Sequence, residues 1–347
     1  MQKKIIALAV AGLVSGAAFA QSNVTVYGIL DAGVYGWSGN DESATGVVNG
    51  GLSTSRLGFK GEEALGNGLK AIFNLETAID TDAEHGGKDT GWGSNRQANV
   101  GLTGGFGTVL VGLQASLSDN WHGSVSEPMG NISSRNLLGN VRGRFSNEKA
   151  DAVAYYSPVF SGLQLAALYG TIEDVDTDTS SRSGYVQLGA KYANGPFAAA
   201  LTYARLNEAS FEDPSHDWTV GATYDFTAVK VYAAYELSQN VGTARDVDNA
   251  LWTLGARVPV GKAGTVVGSY SQADNDVKDT DGAAWQIGYE HALSKRTTAY
   301  ASYMRLENDD AGTFAPASRF NKGANKFATP TTDESYNGVM IGLRHLF

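Results

Sequence analysis

Apolar and polar residues alternate with a period of two along most of the chain, which predicts β-strands with one apolar and one polar face. In 229–237, Val229, Val231, Ala233, Tyr235 and Leu237 share one parity, against Lys230, Tyr232, Ala234 and Glu236. The stretch 250–258 sets Ala250, Trp252, Leu254, Ala256 and Val258 against Leu251, Thr253, Gly255 and Arg257. The chain ends in the same way, with Val339, Ile341, Leu343 and Phe347 opposite Met340, Gly342 and Arg344. Such a strand either covers a soluble core or faces lipid on one side and water on the other.

Length and spacing separate these two solutions. Sixteen alternating segments are expected, most of them ten to thirteen residues long. That suits tilted strands crossing hydrocarbon, which need roughly 9–11 residues, and exceeds the roughly 5–6 usual in soluble sheets. Short connections at 62–65, 104–105, 159–161, 194, 227, 260–261 and 292–294 interleave with long ones at 39–51, 80–93, 116–148, 172–182, 207–214, 240–247, 274–280 and 308–334. The expected fold is therefore all-β, a transmembrane antiparallel barrel of sixteen strands with short periplasmic turns and long extracellular loops. Proline agrees: Pro128, Pro214, Pro316 and Pro330 fall in long loops, and Pro158, Pro196 and Pro259 at strand ends. Tyr27, Phe106, Phe160, Phe197, Phe226 and Phe347 stand near strand ends, as interfacial girdles require.

Composition adds the destination. Lys3 and Lys4, an apolar run from Ile5 to Val14 and Ala18-Phe19-Ala20 read as a cleaved signal peptide over 1–20, leaving 21–347 as the barrel. Forty-three glycines, sixteen tyrosines and no cysteine suit a large exported β structure held by backbone pairing rather than disulfides. Removing Lys3 and Lys4 takes the formal net charge from −10 to −12, which argues against a nucleic-acid partner. The acids of the long loops lack an EF-hand spacing, so no metal and no cofactor is expected. The five histidines lie in no catalytic motif, and Gly104-Gly105-Phe106-Gly107 is not a dinucleotide fingerprint, so enzymatic chemistry is not expected either.

Several stretches, in order along the chain, resemble the general trimeric porins of Gram-negative bacteria, most closely the β-proteobacterial and neisserial type. They are VTVYGILDAGV (24–34), GLSTSRLGFKGEEALGNGLKAIFNLETAID (51–80), NRQANVGLTGGFGTVLVG (95–112), YYSPVFSGLQLAALYG (155–170) and GLRHLF (342–347). Two features depart from that family's pattern. Asn99 stands where an aromatic is usual, and 126–130 (SEPMG) replaces the usual run of the third long loop. The resemblance implies passive diffusion of ions and small hydrophilic solutes through a channel that the third long loop, 116–148, narrows by folding inward. It also implies a homotrimer in the outer membrane, contact with lipid and lipopolysaccharide, and delivery to the barrel-assembly machinery through the strand ending at Phe347. On that basis Arg56, Lys60, Arg96, Arg135, Arg142 and Arg144 form the basic side of the pore constriction, and Asp119 and Glu127 the acidic side. The arginines suggest a weak anion preference. Arg96 is the awkward member, because it shares parity with Ala98, Val100 and Leu102, the apolar face. The alternatives are a substrate-specific channel, for which Tyr232 and Tyr303 are the inward aromatic candidates, and an adhesin-like barrel acting through its outer loops. The loop 80–93 is also a candidate latch onto a neighbouring protomer.

Overall fold

A computed structural model describes residues 23–39, 42–82, 92–139, 149–173, 182–207, 213–241, 247–314 and 333–347. The strands are β1 (Asn23–Gly39), β2 (Glu42–Asn49), β3 (Arg56–Gly66), β4 (Leu69–Ile79), β5 (Trp92–Gly104), β6 (Gly107–Ala115), β7 (Lys149–Tyr156), β8 (Leu163–Glu173) and β9 (Arg182–Asn194). They continue with β10 (Phe197–Asn207), β11 (Ser215–Asp225), β12 (Lys230–Val241), β13 (Val247–Val260), β14 (Gly264–Asn275), β15 (Gly282–Ala292), β16 (Thr297–Asn308) and β17 (Ser335–Leu346). The staves pair antiparallel with their sequence neighbours, and β1 closes the sheet on β17, from Ile29↔Leu346 to Ser38↔Asn337. A closed ladder leaves no edge for lipid to meet, and no described helix is long and apolar enough to cross a membrane. Outward positions are apolar and exposed, among them Val100, Val111, Leu254, Ile287 and Ile341.

The barrel has sixteen staves, β1 and β3–β17. The extra strand, β2, lies in the expected first long loop: it folds back on the upper half of β1, from Gly39↔Glu42 to Ala32↔Asn49. Alternation explains it, since Val48 turns inward and is fully buried while Val47 stays exposed. Below that hairpin β1 pairs with β3 instead, from Ile29↔Arg56 to Asn23↔Glu62. The sheet therefore forks between residues 29 and 32, and the chain from 50 to 55 leaves it there.

Two expectations from the sequence need correction. The first short turn falls at Asn67-Gly68, not at 62–65, because φ of +51° and +77° at these residues is the geometry that an Asn-Gly hairpin favours. Tyr27 belongs to no girdle. It lies on the inward parity of β1 with Asp31 and Tyr35, and its hydroxyl bonds Asn74 and Glu76, both at 2.9 Å. Phe106, Phe160, Phe197, Phe226 and Phe347 are exposed at the short-turn end. Phe347 exchanges two backbone hydrogen bonds with Gly28, at 3.0 and 3.1 Å, and its ring covers the space where a Gly28 side chain would stand.

Candidate functional site

The segment 116–139 folds into the barrel. Ser116 caps α1 (Leu117–Ser126), accepting from the Asp119 amide at 2.9 Å, and Asp119 adds an acid to the first turn. Leu117, Trp121 and Val125, spaced by four, form the stripe that α1 buries on the wall. A single 3₁₀ turn (Gly130–Ile132) and the short α2 (Ser134–Leu137) follow.

The wall is shaped to take this segment. Inward positions on alternate strands are glycines, each filled by a loop side chain. A methyl group on Gly189 of β9 would lie 2.5 Å from Trp121, and one on Gly221 of β11 would lie 2.9 Å from Val125. The same construction overlaps Pro128 at Gly255 of β13 and lies 2.5 Å from Met129 at Gly288 of β15. Between the glycines stand hydroxyls and amides. Gln187 accepts from the Leu117 amide at 2.5 Å, Thr202 meets Ser118 at 2.9 Å and His122 at 3.0 Å, and Ser271 meets Ser134 at 2.8 Å. Met129, Ile132, Leu137 and Leu138 join a buried cluster with Leu251, Val267, Met304 and Met340. This side of the lumen is filled and buried, unlike a bare aqueous channel, because the loop covers it.

Arg135 locks the seat. Only 1 % exposed, it pairs with Glu236 of β12 through Nε and with Glu127 at 3.0 Å through one terminal nitrogen.

Opposite the seat remains a cavity of about 560 Å³. Its charged lining is Arg56, Arg96, Arg257 and Arg344 with Glu76, Asp119, Glu127 and Glu290. Four of each sign leave no net excess among the described lining residues, so any selectivity there rests on arrangement. On the wall, Glu76 of β4 pairs with Arg96 at 2.6 Å and with Arg56 at 3.6 Å, one carboxylate between two guanidiniums. Arg257 meets Glu290 through two bonds, at 2.8 and 2.9 Å, and donates to the Pro128 carbonyl at 2.5 Å. Arg344 donates to Ser53 at 3.2 Å.

The structure brings Arg56, Arg96, Asp119 and Glu127 together around this cavity. Arg96 reaches it despite its parity because the β4–β5 register slips between Glu76↔Gln97 and Thr77↔Asn95. The extra residue of that bulge re-aims the arginine inward, so Arg96 and Gln97 both face the lumen. Lys60 lies outside the cavity lining, on the same inward parity of β3 as Arg56, with its amine 5.2 Å from the centre of the Tyr27 ring. Arg135 does not line the cavity. It is buried beneath the loop as an anchor, because two carboxylates compensate its charge there. Arg142 and Arg144 lie outside the described residues, as does most of the expected latch, 80–93. Tyr232 faces the cavity, but Tyr303 points outward, because Tyr300, Ser302, Met304 and Leu306 hold the inward parity of β16 and Tyr303 packs on Trp285. Sequence reasoning missed Glu76, Arg257, Glu290 and Arg344. The inward parity of Arg257, Glu290 and Arg344 was visible; nothing in the alternation marked which inward charges share one level. Asn99, the departure from the family pattern, is buried and donates to the Leu113 carbonyl at 3.3 Å.

Comparison with known proteins agrees with this geometry. The family model described as Gram-negative porin matches residues 7–311. Outer membrane porin protein 32 of Delftia acidovorans is 33 % identical over the whole of both chains. An outer membrane porin protein of Bordetella pertussis is 28 % identical over 79 % of this chain and 86 % of its own. Among solved structures, an anion-selective porin from Comamonas acidovorans superposes with a TM-score of 0.78 at 28 % identity, covering 94 % of this chain and all of its own. With a closed sixteen-stave barrel, an inward-folded loop and a charged lumen, the chain belongs to the Gram-negative porin family of the outer membrane.

Proposed function

We propose that ions and small hydrophilic solutes diffuse passively past a constriction formed between the loop edge at Asp119–Asn131 and the wall at Arg56, Arg96 and Arg344, with a weak anion preference. The observation that carries this reading is the pair of guanidiniums that share one carboxylate on the open wall. On the wall a single carboxylate, Glu76, serves both Arg56 and Arg96. On the loop, Glu127 is held by Arg135, which is buried outside the cavity lining and is shared with Glu236. The lining charges balance in number, so the preference is carried by their placement: two guanidiniums share one carboxylate on the open wall, and a narrow low-dielectric gap magnifies that local field. Similarity to an anion-selective porin supports the same sign. Arg142 and Arg144 would add to it.

A substrate-specific sugar channel is less well supported, because only one of its two expected lumen tyrosines, Tyr232, faces the cavity. Homotrimeric assembly, contact with lipopolysaccharide, and recognition of the terminal Phe347 by the assembly machinery complete the reading and rest on the family resemblance; removal of 1–20 on export rests on the N-terminal pattern of Lys3, Lys4, the apolar run and Ala18-Phe19-Ala20. The test is conductance of the purified, detergent-folded protein in a planar bilayer under a KCl gradient. The expected result is large steps closing in threes with a reversal potential of anion sign. A reversal potential of cation sign would overturn the preference, and absent steps from a folded barrel would overturn the open channel.

A further inference from the structure

The fork in the sheet is filled by one carboxylate. Asp31 is fully buried, although it lies in the lumen-facing parity of β1. Its Oδ2 accepts from the amides of Leu52 at 2.8 Å and Ser53 at 2.7 Å; its Oδ1 accepts from the amide of Gly51 at 3.2 Å and the hydroxyl of Tyr300 at 2.7 Å. Its backbone is committed too. The amide donates to Ser55 Oγ at 2.9 Å, and the carbonyl accepts from the Gly50 amide at 2.8 Å. Tyr300 reaches it through a slot between Gly51 and Gly342, where a methyl group on either glycine would overlap the phenol.

What this carboxylate holds is the segment 50–54, and that segment holds the constriction. Ser53 Oγ receives Arg344 at 3.2 Å, and the Thr54 carbonyl receives Arg56 Nε at 2.9 Å. The tip of the inward loop hangs on the same turn: Asn131 donates its side chain to the Gly50 carbonyl at 2.9 Å and its amide to the Leu52 carbonyl at 3.2 Å. Two lumen arginines and the loop tip therefore share one support.

We propose that Asp31 is a positioning residue for the constriction. It touches no solute; it fixes the turn that sets Arg56, Arg344 and Asn131 relative to one another, and its charge offsets part of the Arg344 field in the lumen. A carboxylate serves where an amide would not, because four donors converge on its two oxygens and an asparagine would offer one acceptor and a competing donor.

The inference rests on the lumen being the conducting path, and wild-type current tests that separately: a folded wild type without current would sink the proposed function, not this assignment alone. In the full chain, Asp31→Asn is expected to raise the chloride-to-potassium permeability ratio about 1.5-fold, because Arg344 loses its compensating charge, and to increase open-channel current noise about twofold as the loop tip loosens. Tyr300→Phe, which removes one donor and leaves the charge, is expected to increase noise with a smaller change in permeability ratio. A residue that only stabilised the barrel would lower the melting temperature and move neither. Folded variants with wild-type permeability ratio and noise overturn the proposal. Where Asp31→Asn does not fold, Tyr300→Phe is combined with Asn131→Ala: non-additive noise supports a shared support, and additive noise overturns it.

Discussion

The two sides of the lumen are built from the same alternating strands and do opposite things. On β9–β15 the inward positions beneath the loop include glycines, hydroxyls and amides on which the loop lies directly, while Arg257 and Glu290 stand at its edge and line the cavity. On β3–β5 and β17 the inward positions are Arg56, Glu76, Arg96 and Arg344, long side chains that keep open space in front of them. The difference teaches that the channel's width is set by where the wall lacks side chains, and its polarity by where it has long ones. A barrel can thus change its pore without changing a single strand.

The largest effect should come from removing the anchor of the seat. Arg135→Ala leaves Glu236 and Glu127 facing each other without their buried counter-charge, at an expected cost of about 3–5 kcal/mol to loop docking. Thermal unfolding followed by heat-modified gel mobility would read it, and an unchanged transition would show that the ion pairs contribute nothing net. Next in size is the seat itself. Gly221→Leu places a branched side chain where Val125 packs, so α1 must rise into the lumen at a cost of about 1–3 kcal/mol. Single-channel conductance should then fall; a conductance equal to the wild type would mean that the wall, not α1, gives way. The smallest effect belongs to the facing wall. Glu76→Gln keeps the shape of the side chain but leaves Arg56 and Arg96 without their shared carboxylate, so anion preference should rise. A reversal potential moving toward cations would break the comparison.

Much of this plan was legible in the alternation. Strand number, turn order and barrel closure follow from parity and loop lengths, because lipid outside and water inside impose period two along each stave. Legibility failed wherever local geometry broke that period. The bulge at Arg96 inverted its apparent face, the fork at Asp31 buried a carboxylate that parity would have placed in water, and β2 used a loop's residues as a strand. The first helix inside the lumen was also written in the chain, in the Ser116 cap and the spacing of Leu117, Trp121 and Val125, but those few positions of period 3.6 sit inside a long connection between strands of period two. Arg135 shows the limit of charge reading: an arginine in a pore loop can face the wall as readily as the water.

The pairing of β1 with β17 has a consequence for how the molecule comes into being. The first stave made waits for the last, so no partial product has all its backbone groups satisfied, and each intermediate carries two raw edges able to pair with another chain. Contacts between opposite ends of the chain make such folding slow. Shortening the chain at its C-terminus by one stave would therefore yield not a narrower barrel but an open sheet, exposed to aggregation before it ever meets a membrane.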